Sequence, residues 1–153
     1  MRIERKTLAQ MRREIKDAII QKLNDARTPG GALEDVESVF YGDRIELGQI
    51  KSSTVWVIPV PHTPVHRGGH TAQHDFTFGF VAMVKNIKDA QTGKDEAEDL
   101  AARVYDLISA DRTLGGVVGD VLAQRIDPSY QAAANNSIFW AYVEFVFRTM
   151  RRE

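Results

Sequence analysis

Apolar residues recur every three or four positions at the start of the chain and then switch to runs and alternation. From 7 to 26, Leu8, Met11, Ile15, Ala18, Ile19 and Leu23 fall on one stripe, with Arg12, Arg13, Lys16 and Asp17 on the other side. That spacing predicts an amphipathic helix. Thr28-Pro29-Gly30-Gly31 stops it. Three strand-like runs follow. Val36 to Tyr41 ends at Gly42-Asp43, and Thr54 to Val60 carries a nearly continuous apolar run through Val55, Trp56, Val57 and Ile58. Such a run suits a strand covered on both faces. From Asp75 to Val84, Phe76, Phe78, Phe80, Ala82 and Val84 alternate with Thr77, Gly79, Val81 and Met83, the period of a strand.

Helical spacing returns between about 93 and 110, where Ala97, Leu100, Ala101, Val104, Leu107 and Ile108 form a stripe. Thr92 with Asp95 three residues on has the pattern of a capping box. Asp95, Glu96, Glu98 and Asp99 fall in the first turns, where the helix dipole favours them. Val117 to Ile126 and Ile138 to Thr149 read as closing strands. In the last, Phe139, Ala141, Val143, Phe145 and Phe147 share the core face. Trp140, Tyr142 and Glu144 share the other, which either is half covered or meets a neighbouring subunit. The expectation is an α+β fold: a mostly antiparallel sheet flanked by two helices, in the order α-β-β-β-α-β-β. A long loop would join the second and third strands. One domain over residues 1–153 is the simplest organisation.

Composition narrows the function classes. The chain has no cysteine, which removes disulfides, thiolate metal sites and cysteine nucleophiles. The first residues are charged and lack the apolar stretch of a secretion signal. No run approaches the roughly 20 apolar residues of a membrane helix, so no membrane partner is expected. A formal net charge of −1 gives no bulk attraction to nucleic acid. The charge is uneven, however. Arg2, Arg5, Lys6, Arg12 and Arg13 crowd one end, and Arg148, Arg151 and Arg152 the other. These ends are either solvated or form a basic rim facing DNA or an acidic partner.

Candidate chemistry is sparse. All four histidines, His62, His66, His70 and His74, share one four-residue spacing. Imidazole is the commonest metal ligand, but Pro61, Pro64 and Gly68-Gly69 forbid the helix that would align them. The spacing matches no HExxH or Cys/His finger. The alternatives are a polar loop, a pH-sensitive contact, or a metal-binding module or metal-dependent enzyme with Asp75 adding an oxygen. Ser52 and Ser53 lie in no GxSxG elbow. Gly115-Gly116 with Gly119 follows a helix and enters a strand, the reverse of a phosphate loop, and reads as a helix C-cap and turn. Glu144 is either an outward residue or half of an intersubunit ion pair with an arginine. No cofactor is expected, and nothing in the pattern calls for an enzyme.

The segment Leu107-Ile108-Ser109-Ala110-Asp111-Arg112-Thr113-Leu114-Gly115-Gly116-Val117-Val118 resembles the helix-to-strand passage of tail terminators and related head–tail joining proteins of tailed bacteriophages. The valine-rich strand ending in Pro59 and the order of elements are also similar. The resemblance implies a virion protein, assembled in the host cytoplasm. It would form a ring, usually a hexamer, that caps the tail tube and docks to the head connector or stopper. Within it, Trp140, Tyr142, Glu144, His62, His66 and His70 would meet a neighbour or partner. Arg148, Arg151 and Arg152 would face DNA in the lumen through weak, salt-dependent contacts.

Overall fold

A computed structural model describes residues 5–131 and 137–153. Arg2, counted above in the basic end, lies outside them. Helix α1 spans Leu8–Asp25, and helix α2 spans Ala90–Ser109. The strands are β1 (Ser38–Tyr41), β2 (Thr54–Val60), β3 (Val65–Gly68), β4 (Thr71–Lys85), β5 (Asp120–Gln131) and β6 (Ile138–Arg152), with a short 3-10 turn at Leu47–Gln49. The protein is α+β, with two helices and a mostly antiparallel six-stranded sheet in the order β1-β2-β4-β6-β5; β3 pairs with β4. Among the described residues, only β1 and β2 run parallel.

The alternation along β4 and β6 divides the molecule. Phe76, Phe78 and Phe80 on β4 and Phe139, Phe145 and Phe147 on β6 are fully buried. They meet Ile15, Ile19 and Leu23 of α1 and Leu100, Val104 and Ile108 of α2 in one core. The ends of α1 are set locally: Thr7 and Gln10 form a reciprocal capping box. Gly93 lets α2 lie close to the sheet, because a Cβ there would sit 2.4 Å from the Phe139 ring. The opposite face holds a smaller cluster built from Trp56, Val81, Met83, Ile138 and Tyr142, closed on one side by Ile50. Ile50 belongs to the crossover that the parallel β1–β2 pairing requires.

Three expectations change. Residues 62–74 are not one long loop: Val65–Gly68 is a strand, so the order becomes α-β-β-β-β-α-β-β. Gly68 and Gly69, with φ of +119° and +57°, close the tight β3–β4 turn. The start of α2 is capped by Asp89, whose carboxylate accepts the Gln91 amide, and not by Thr92 with Asp95. The final pair of strands is shifted or lengthened, because Val117–Gly119 remain in the turn after α2 and β6 continues to Arg152. That turn does use glycine at positive φ, at Gly115 and Gly116. The helix itself ends earlier, at Ala110.

Candidate functional site

Two polar or aromatic regions stand out, one on each face of the sheet. The first is on the face without helices. Ile45 and Leu47 from the crossover, Ile58 of β2, Met83 of β4, and Trp140 and Tyr142 of β6 line a cavity of about 510 Å³, with Arg125 and Asp127 at its rim. Trp140 is half-buried and packs on Tyr130 of β5 at 5.1 Å between ring centres. Tyr142 is buried because it lies across Gly79, where a Cβ would come within 2.3 Å of its hydroxyl. Its hydroxyl donates to Glu144 at 2.6 Å, and Gln124 donates to the same carboxylate at 3.0 Å. Burial, followed by the bond to Glu144, pushes the Tyr142 phenol upward. Arg125 lies over the Tyr142 ring and pairs with Asp127. Glu144 is only 8% exposed, so it is not an outward-facing residue in the single chain. Its partners come from its own chain.

The second region lies at the far end of the sheet, on the helix side. His74 follows the same alternation as Phe76 and is 2% exposed. An Arg12 guanidinium nitrogen of α1 is 2.9 Å from His62 Nδ1, His62 Nε2 is 3.2 Å from His74 Nδ1, and His74 Nε2 is 2.8 Å from a Glu153 oxygen. Arginine can only donate. His62 Nδ1 therefore accepts, His62 Nε2–H donates to His74, and His74 Nε2–H donates to Glu153. The contacts form one continuous chain from Arg12 through both rings to Glu153. Burial, then the Arg12 and His74 charges, hold His62 below its ordinary value near 6.5. Arg151 first, and His74 second, bring Glu153 down to about 2.

The four histidines thus split. His62 and His74 meet, whereas His66 on β3 and His70 in the turn are exposed. Among the described residues no three His, Asp or Glu side chains are grouped to hold a metal ion. Asp75 lies on the other face of β4 and takes two bonds from Arg148, at 2.9 and 3.2 Å. That pair holds Asp75 below the usual carboxylate range. The three arginines expected to face DNA differ in their contacts. Arg148 is spent on Asp75, Arg151 pairs with Glu153 on the helix side, and Arg152 is exposed.

The Asp111–Gly116 segment is a structural hinge between α2 and β5. The Asp111 carboxylate takes the Gly115 amide, which contributes most to lowering its pKa, and also pairs with Lys22 of α1. Arg112 forks onto Asp120 at the head of β5, and Leu114 is buried in the core. Sequence reasoning missed Arg12 as a partner of the histidines and the 42–50 crossover as part of the open-face cavity. Counting parity back from Phe76 places His74 inside; nothing in the pattern links it to Arg12. Among the described residues no helix is long and apolar enough to cross a membrane.

The fold and surfaces together define a two-faced α+β sheet domain, one face sealed by helices and the other left with an aromatic cavity. No protein-family model and no curated protein matches the sequence.

Proposed function

We propose that this protein is a head–tail joining protein of a tailed bacteriophage, in the tail-terminator role. In this reading it forms a ring, six-membered as in the proteins it resembles, that caps the tail tube and receives the head connector or stopper. It acts by association and not by catalysis. The observation that carries the reading is the open sheet face, where Trp140 and Tyr130 flank a cavity with apolar walls and a charged rim. An apolar centre with a polar rim is the anatomy of a protein interface. The resemblance around Asp111–Gly116 and the placement of that segment as a rigid hinge support the same reading. The exposed His66 and His70 on the β3–β4 hairpin are suited to reach a partner above or below the ring. The arrangement of His62 and His74 between Arg12 and Glu153 favours a positioning role at the hairpin base over a metal site.

The test is native mass spectrometry of the purified protein, alone and with terminator-free tail tubes, beside electron microscopy of tube ends. A ring on tube ends is the expected result. Binding to filled heads and not to tubes would instead make the protein a stopper. A monomer indifferent to both would overturn the reading.

A further inference from the structure

We propose that copies of this chain join head to tail through two oppositely charged grooves at the two lateral edges of the sheet. The inference rests on the ring reading above and supplies its subunit contact. The first groove, about 430 Å³, lies between α1 and the β1 edge. Its charged side chains are Arg12, Arg13 and Lys16, beside Tyr41 and His62, with no carboxylate in the lining. The second, about 520 Å³, lies between α2 and the β5 edge. Its charged side chains are Glu98, Asp99, Asp106 and Asp127, with no cation in the lining. Each groove also carries one large exposed hydrophobic side chain: Tyr41 in the basic one and Ile126 in the acidic one.

Charge segregation of this kind leaves work undone within one chain. Lys16 is paired with Asp17, Arg12 with His62, Glu98 with Ser129 and Asp127 with Arg125. The side chains of Arg13, Asp99 and Asp106 form no hydrogen bond or ion pair with any described residue. The two edges are four strand spacings apart, about 19 Å, so the grooves cannot satisfy each other within one subunit. A second copy, displaced sideways, brings the basic groove of one against the acidic groove of the next. The two patches differ, so the contact is heterologous and propagates until rotation closes a ring. Addition of strand to strand is a poorer route. Pro128 and two bulges, at Ala123/Arg125 and Asp127/Tyr130, interrupt the β5 edge, and β1 has four residues.

The test uses charge reversal and cross-linking on the full chain. Arg13→Glu and Asp106→Arg alter exposed positions, and unchanged circular dichroism checks their folding. Each alone is expected to raise the dissociation constant for assembly at least about tenfold, read by analytical ultracentrifugation at low salt. The double variant, or an equimolar mixture of the two single variants, restores assembly. The absence of native cysteine permits a second arm. A chain carrying both Arg13→Cys and Asp106→Cys, treated with a short bis-maleimide, gives a ladder up to the ring number. Either cysteine alone leaves monomers. Dimers from one cysteine would show a two-fold contact and overturn the proposal. Wild-type rings with unaffected reversals and no ladder overturn the groove contact but leave the ring reading standing. Loss of DNA binding in Arg13→Glu, with assembly intact, assigns the basic groove to phosphate and also overturns it. Monomers in every arm, with or without tubes, overturn both readings.

Discussion

Gly93 decides how closely α2 approaches the sheet. In an exposed helix, glycine to alanine gains about 1 kcal/mol. Here the added methyl would strike the Phe139 ring, and overpacking costs about 1–3 kcal/mol. The clash wins, and Gly93→Ala is expected to lower the urea midpoint with an unchanged slope. The His62–His74 chain makes a second prediction at this scale. His62 titrates below 6.5 in the folded state, so the unfolded chain takes up protons first as pH falls. The stability it contributes is full above the unfolded value and is lost progressively as the pH drops below it. Arg12, His74, Asp75 and Glu153 are the charged and titratable groups around it. Urea midpoints between pH 7.5 and 5.5 should fall, and His62→Asn should fall less steeply; equal slopes would refute the assignment. Such detail was only partly legible in the sequence. Alternation placed Phe76, Phe78, Phe80 and the β6 phenylalanines correctly. It does not reveal that Tyr142 and Glu144, read as an outward face, become buried, because that depends on Gly79 and Gln124 from two other strands.

At the scale of elements, long periodic segments were readable and their ends were not. The Thr54–Val60 strand agrees residue for residue, and α1 differs by one residue at each end from the predicted 7–26. In the histidine stretch, the prolines and glycines do forbid a helix, as expected, but they do not make the whole stretch a loop. Pro61 and Pro64 do interrupt it, but Gly68 and Gly69 turn the chain into a hairpin. The register then comes from pairing with β4, a non-local contact absent from the local pattern. The cap of α2 shows a similar competition: Thr92 and Asp95 fit a capping motif, yet Asp89 has the extended backbone and the amide contact that begin the helix. Asp89→Ala should therefore cost about 1 kcal/mol by thermal unfolding, and Asp95→Ala should be nearly silent. Equal losses would place the helix start three residues later.

For the whole molecule, the proposed reading assigns stability to one face and association to the other. The phenylalanine-rich side is covered by both helices, so substitutions there act on folding. Trp140 is half-buried on the other side and touches the cavity and Tyr130. On the proposed joining-protein reading, Trp140→Ala is expected to leave the fold intact while weakening capture of tail tubes at least about tenfold, the scale of a lost aromatic anchor. Tube pelleting with the variant and the parent chain measures it; equal pelleting would remove the open face from the tube contact. Composition indicated a protein without thiol chemistry, but it could not show that nearly balanced charge is divided between two edges.

The parallel pairing of β1 with β2 has a consequence for how this surface can vary. Residues 42–53 must carry the chain back from the end of one strand to the start of its neighbour, so they act as a strap buckled at both ends. Shortening the strap would pull β1 off the sheet. Lengthening it would leave every strand in register and let the extra chain spread over the aromatic cavity that Ile45 and Leu47 already border. On the proposed reading, insertions here would be tolerated by the fold and felt by the partner. If the open face docks a counterpart as proposed, the strap is where this scaffold can be tuned to a different one without being rebuilt.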